Sequence, residues 1–240
     1  MMKKNVIIIG ASGHGKVVAD TVLQSDDTVI GFLDDNPNIG KTFMNFPVLG
    51  KVDEFKKFPD CCFVIAIGNA DIREKIADQL EGVKWYTAIH PTAIVSKLDV
   101  SVGEGTVILP NAVVNAGTTI GRHCILNTGS IVEHDNQIDD FAHVSVGARL
   151  AGTVYVGRKT WIGIGASVRN NLSICEDCMI GAGAVVVKNI DKAGTYIGIP
   201  AERETMKNKK YFGGGGYSSR QIKKRNVRLS AHAQHNRRSA

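Results

Sequence analysis

Every sixth residue from Val102 to Val186 is a branched aliphatic: Val102, Ile108, Val114, Ile120, Leu126, Val132, Ile138, Val144, Leu150, Val156, Ile162, Val168, Ile174, Ile180 and Val186. Helices repeat near 3.6 residues and flat strands near 2, so a sustained period of six needs short strands that each point one aliphatic into a shared interior. This pattern predicts a β-solenoid. Residues two positions before the aliphatics are mostly small (Ala112, Thr118, Cys124, Ser130, Ala142, Ala148, Ala166, Cys178, Ala184), as a tight corner requires, and glycine follows the aliphatic at Gly103, Gly121, Gly157, Gly163 and Gly181. Three hexapeptides close a triangular coil, stacked coils pair their strands at roughly 4.8 Å, and the repeats suffice for about five coils. After Val186 the period fails at Lys192.

The first 88 residues carry a different pattern. The β-branched run Asn5–Ile9 is bounded by glycine and predicts a buried parallel strand. It leads into Gly10-Ala11-Ser12-Gly13-His14-Gly15 and an apolar-periodic helix from Lys16 to Leu23. The spacing is G-x-x-G-x-G, not the dinucleotide fingerprint G-x-G-x-x-G, so alone it is weak evidence for a nucleotide. It still offers close backbone approach and free amides at a helix N-terminus. A second strand, Thr28 to Leu33, ends in Asp34-Asp35-Asn36, and a third, Cys62 to Ile67, ends in Gly68-Asn69 before a helix from Asp71 to Leu80. In an open α/β sheet ligands bind outside the carboxyl ends of the strands. Ser12, Gly13, His14, Asp34, Asp35 and Gly68 therefore form one candidate binding edge of a small α/β domain with three parallel strands. His90-Pro91 marks the join to the solenoid, because proline holds the residue before it extended.

Charge changes the picture only at the end of the chain. The net charge is +6, but residues 202–240 hold eleven Lys or Arg against two acids, a balance of +9, leaving the first 201 residues at −3. A basic stretch containing Gly213 to Gly216 and few large apolars reads as a disordered tail. Its deletion from residue 213 onward is expected to spare folding and activity, and no nucleic-acid or membrane partner is assigned to it. The five cysteines suggest free thiols in a reducing cytoplasm, no apolar run reaches the length of a membrane span, and Met1–Lys4 leads into a strand where a signal peptide would need an apolar run.

Chemistry concentrates in Asn127-Thr128-Gly129-Ser130-Ile131-Val132-Glu133-His134-Asp135 and in His143-Val144-Ser145-Val146-Gly147, Ala151 and Gly152. An imidazole with an ordinary pKa of ~6.5 can take a proton from an attacking group at neutral pH, the more readily beside a carboxylate. A backbone N–H beside a glycine can approach a developing oxyanion. With eighteen residues per coil, Gly152 stacks one coil along from His134, and Ala182 one coil along from Ile164. His134 and His143 are half a coil apart, so they could meet only across a subunit interface, which predicts an oligomer, with a trimer suggested by the triangular prism. The spacing of His123, His134 and His143 lacks a His-x4-His pair, so no metal site is assigned.

The hexapeptides and the Gly198-Ile199-Pro200-Ala201 exit resemble the hexapeptide-repeat acyltransferases. The whole string, with its S-G-H-G turn, D-D pair and I-A-I-G-N segment, is similar to the sialic acid and bacillosamine-pathway nucleotide-sugar acetyltransferases. That resemblance implies an α/β Rossmann-like domain over residues 1–88 and a left-handed parallel β-helix over residues 89–201. It implies acetyl transfer from acetyl-CoA to the amine of a nucleotide-linked 4-amino-4,6-dideoxy sugar, with no metal. By resemblance His134 is the general base, Asp135 supports it, and His143, Gly152, Ile164 and Ala182 contact acetyl-CoA. Three alternatives stand beside it: an O-acetyltransferase acting on sialic acid or another sugar hydroxyl, a zinc enzyme of the γ-carbonic anhydrase kind, and a nucleotide-sugar-binding scaffold without catalysis.

Overall fold

The apolar run Asn5–Ile9 forms β1 at the centre of a six-stranded sheet. Alternation along β1 sends Val6 and Ile8 into one apolar cluster and Ile7 and Ile9 into another, so both faces of the sheet are covered. The computed structural model describes residues 3–205. Helix α1 (Gly13–Gln24) follows β1 and packs Val18 and Val22 on the first face; β2 is Thr28–Leu33. A short hairpin of β3 (Thr42–Phe43) and β4 (Phe46–Gly50) extends the sheet beyond β2. Strand β5 (Cys62–Ile65), helix α2 (Ala70–Gln79) and β6 (Lys84–Trp85) complete it. The order is β3-β4-β2-β1-β5-β6, parallel except between β3 and β4. The order reverses at β1, so the crevice outside the carboxyl ends of β1, β2 and β5 is the expected ligand position. The hairpin and β6 go beyond the three strands read from sequence, and β5 stops at Ile65, two residues earlier than expected.

Two-residue strands then repeat every six residues and stack into three parallel sheets, with partners eighteen residues apart, as in Val107 with Ile125 and Ile125 with His143. Every aliphatic of the series after Val102 is buried in one core, and Val102 packs against its end. The corners explain the residue choices. Positive φ recurs every six residues from Asp99 to Gly183, including Asp135 at 57°. The glycines after the aliphatics have a different reason: a Cβ on Gly103 would lie 2.5 Å from the carbonyl carbon of Gly121 in the next coil. Those positions demand space, not left-handed backbone.

The period fails at Lys192 because the last coil is two residues shorter. Cys178 pairs with Gly194 and Ile180 with Tyr196, sixteen apart, and Ile190 bridges Ile174. Ile190 and Tyr196 thereby fill the interior. Glu202–Arg203 turn back antiparallel onto Ile197 and Tyr196, so the first two residues assigned to the tail belong to the folded body. Met1–Arg203 make one compact unit, Glu204 and Thr205 follow it, and residues 206–240 of the expected tail lie outside the described residues.

One face of the prism is covered. Val107, Leu109 and Ile125 point outward from the solenoid and share a cluster with Val18 and Val22 of α1. Ala88–Ile89, the first strand of that face, pairs with Val107–Ile108, so Ala88, placed by sequence in the first domain, belongs to the solenoid sheet. Cys175 and Cys178 are a C-x-x-C pair that the sequence analysis did not single out; their sulfurs are 3.5 Å apart, and both are free.

Candidate active site

His134 stands on an open corner of the prism. Its side chain is 60 % exposed, and its Nδ1 lies 2.8 Å from Oδ2 of Asp135. Three features hold the pair. Asn136, buried at a corner position where the series carries small residues, donates from Nδ2 to the carbonyl of Ala151 and accepts Val154 N–H at 2.9 Å, fixing the backbone beneath. Gly117, one coil earlier, leaves room for Asp135, whose Oδ1 would sit 2.4 Å from a Cβ there. Gly152, one coil later, lies under the imidazole, where a Cβ would be 2.5 Å from Cε1 and 2.6 Å from Nε2. The stacking read from the repeat is therefore present. Asn136 was missed by the sequence reading, although its polarity in a column of small residues was the available signal.

The second cluster joins residues that the sequence assigned to separate half-sites. His143 continues the outward column of Val107 and Ile125, so it is buried beneath the α/β domain. Its ring stacks on Trp161 at 4.7 Å between centroids, and Nε2 lies 3.2 Å from Nδ2 of Asn127. His14, in the first turn of α1, is close enough for its charge to act on His143. Burial, the Arg73 guanidinium and His14 push His143 down to about 3; the Gly68 carbonyl facing it favours the charged form, without closing a normal hydrogen bond on the buried Nδ1. Burial and Arg73 likewise push His14 down to about 4. Both rings are neutral at physiological pH. His134 and His143 are not brought together within the chain.

Around this cluster the glycine turns divide their labour. A Cβ on Gly15 would strike the carbonyl oxygen of Gly10 at 2.2 Å, so Gly15 lets the helix pack on the turn, while Gly13 and Gly68 face open space. Ser12 occupies the N-cap of α1 without a side-chain cap bond, and it is exposed. Asp34 accepts Ala11 N–H on Oδ2 at 2.6 Å and Asn36 N–H on Oδ1 at 2.8 Å, tying the first and second strand ends together. Asp35 accepts Val52 N–H at 2.9 Å. Both carboxylates border a cavity of about 300 Å³ with Lys41, Lys51 and Glu54. On another corner of the prism, Ile164 is 61 % exposed, and its carbonyl accepts Gly183 N–H beside the exposed Ala182.

Family models match both parts: the PglD N-terminal domain over residues 5–80 and the bacterial transferase hexapeptide (six repeats) over residues 99–134. GDP-perosamine N-acetyltransferase of Escherichia coli O157:H7 is 32 % identical over 189 residues, covering 73 % of this chain and 82 % of that protein. The chain belongs to the hexapeptide-repeat nucleotide-sugar N-acetyltransferases. A further relative, UDP-N-acetylbacillosamine N-acetyltransferase of Bacillus subtilis (strain 168), is 41 % identical over 112 residues, a match spanning 44 % of this chain and about half (51 %) of that one. Among solved structures of this family, the acetyltransferase domain of PglB from Neisseria gonorrhoeae FA1090 in complex with acetyl coenzyme A superimposes with a TM-score of 0.79. It is 33 % identical, and the match covers 85 % of this chain and 100 % of that domain. The fold is accordingly a small Rossmann-like α/β domain followed by a left-handed parallel β-helix. Among the described residues no group of three His, Cys, Asp or Glu side chains is placed to hold a metal, and no helix is long and apolar enough to cross a membrane.

The buried neutral histidines set the acid limit of the fold. His123, sealed between Trp85 and Phe141, is pushed down to about 4 by burial and by Arg122 and Arg73, and joins His14 and His143. Their folded values lie below an unfolded value near ~6.5. The unfolded chain therefore binds more protons below that pH, and stability is lost as pH falls from about 6.5 toward about 4. Thermal melts should show a steady drop in midpoint from pH 7 to pH 5, and His143→Gln should show a shallower drop than the parent.

Proposed function

We propose that the protein transfers acetyl from acetyl-CoA directly to the amine of a nucleotide-activated 4-amino-4,6-dideoxy sugar, with His134 as general base. The observation that carries this reading is the exposed His134 imidazole, oriented by Asp135 through Nδ1 and seated on Gly152. With Nδ1 engaged, Nε2 is the nitrogen that takes the proton as the amine nitrogen bonds to the thioester carbonyl carbon. Collapse of the tetrahedral intermediate then breaks the C–S bond and releases CoA thiol. Gly152, with His143, Ile164 and Ala182, is the proposed acetyl-CoA contact, while Ser12, Gly13, His14, Asp34, Asp35 and Gly68 receive the nucleotide sugar. The acetyl-CoA and GDP-perosamine chemistry in the names of the relatives supports both substrate classes. Free cysteines support a cytoplasmic setting.

A thiol-release assay with acetyl-CoA against UDP-, dTDP- and GDP-linked 4-amino sugars, with sialic acid as a hydroxyl control, tests the reading. Turnover confined to the amino sugars is expected. Turnover on the hydroxyl control alone would replace N- with O-acetylation, and nucleotide-sugar binding without turnover would leave only a scaffold.

The same reading requires an oligomer. His134 occupies one corner of the prism, while Ile164 and Ala182 occupy another, so a cofactor touching both sets must lie between chains. The outward column between those corners includes Ile94, Val113, Ile131 and Val185. Ile94 is 64 % exposed, which suits burial by a neighbour. Light scattering should give the mass of a trimer, and a fully active monomer would overturn the assembly.

A further inference from the structure

Arg73 is the largest fully buried side chain of the described residues, and it bonds no carboxylate. It sits on α2 at a helical spacing shared with Ile76 and Leu80, where an apolar residue would serve the core. Nε donates to the carbonyl of His123 at 3.1 Å, and one terminal nitrogen donates to the carbonyl of Phe141. The other donates to the carbonyls of Ile67 at 3.0 Å and Gly68 at 2.8 Å. Four carbonyls from two parts of the molecule thus converge on one planar fork.

The two sides of this clamp are not equally rigid. His123 and Phe141 are held by the coil ladder, through His123 N–H to Glu104 and Phe141 N–H to Arg122, both at 2.9 Å. Ile67 and Gly68 lie in the turn between β5 and α2. Helix α2 also meets the solenoid through other pairs. Glu74 pairs with Arg158, and Lys159 lies 3.2 Å from Asp71 and 3.4 Å from Glu74. Burying an unpaired guanidinium is costly unless its hydrogen bonds are completed. A cation kept at that cost, beside the turn that carries Gly68 and near His14, implies a task beyond adhesion.

We propose that Arg73 is a positioning residue for the nucleotide sugar: it ties the Ile67–Gly68 turn to the solenoid and so sets Gly68 and His14 opposite His143. This rests on the proposed use of that crevice for the nucleotide sugar. Because the solenoid carbonyls are fixed by their ladder, loss of the fork displaces the turn and spares the acetyl-CoA side.

Arg73→Lys keeps a cation but has one nitrogen with three donors for four carbonyls, and Arg73→Met keeps the length without donors. With Arg73→Lys the KM for the nucleotide sugar should rise about 3- to 10-fold, with kcat and the KM for acetyl-CoA within about twofold of the parent. Arg73→Met, where it folds, should raise the same KM further, and Lys should thus be a partial rescue. Unchanged KM values in Arg73→Lys, with only a lower melting midpoint, would reduce Arg73 to a structural bond and overturn the proposal. An equal rise in both KM values would overturn it as well. Calorimetric binding of UDP and GDP to the parent and to Arg73→Lys separates the two readings. A parent that binds nucleotide without turnover sinks the transfer reading alone, and nucleotide affinity equal in both proteins sinks the role of Arg73.

Discussion

Turnover by His134→Ala is expected to fall by roughly 10²- to 10⁴-fold, with KM values nearly unchanged, the usual worth of a positioned base. The geometry gives the direction. Asp135 occupies Nδ1, Nε2 lies on an exposed ring, and the backbone beneath is pinned by Asn136, so the ring serves an incoming group and contributes little to the core. Asp135→Asn should cost less, because an amide oxygen can still orient the ring while its charge support is gone. Turnover of the parent should fall on the acid side, since a protonated imidazole cannot accept the amine proton. Raising the pH should partly rescue His134→Ala, because more of the sugar amine is then deprotonated without help. Steady-state kinetics across pH check each point. Near-normal turnover in His134→Ala, or an acetylated enzyme trapped without acceptor, would sink the general-base reading.

Gly152→Ala is expected to lower kcat about 10²-fold while leaving the fold intact, as a misplacement of about 1 Å at a reacting group can do. An alanine Cβ would meet Cε1 and Nε2 of His134 at 2.5 and 2.6 Å, well inside contact distance. The obstructing atoms belong to the end of an exposed side chain, so the ring swings aside and breaks its bond with Asp135. Gly152 is not among the positions of positive φ, and its carbonyl still accepts Asn171 N–H at 3.0 Å. The melting midpoint should therefore move little while kcat falls. A parallel loss of both would show that Gly152 serves the coil, and unchanged kcat would show that the ring is not held there during turnover.

Much of this protein is legible without coordinates because its order is local and periodic. A residue in the solenoid meets its neighbour eighteen positions away, so Gly152 beneath His134 and Ala182 beside Ile164 follow from counting. The period of six marked the interior, and strand ends followed by glycine or carboxylate marked the crevice of the α/β domain. Where the period broke, counting failed: two residues are missing from the last coil, and Ile190 and Tyr196 replace the residues the rule had named.

What the sequence determined by itself was the solenoid and the α/β sheet ahead of it, since each depends on spacing within a short stretch, while the support of His134 by Asp135 came from the family resemblance. The tertiary structure alone decided that His14 and the half-buried Gly68 lie beside the buried His143, and that Arg73 of α2 joins the carbonyls of two distant turns. Those contacts arise from docking one apolar face of the prism under α1, a long-range choice that leaves no periodic trace. A lone arginine in a helix reads as a solvent-facing charge until the surface that buries it is in place.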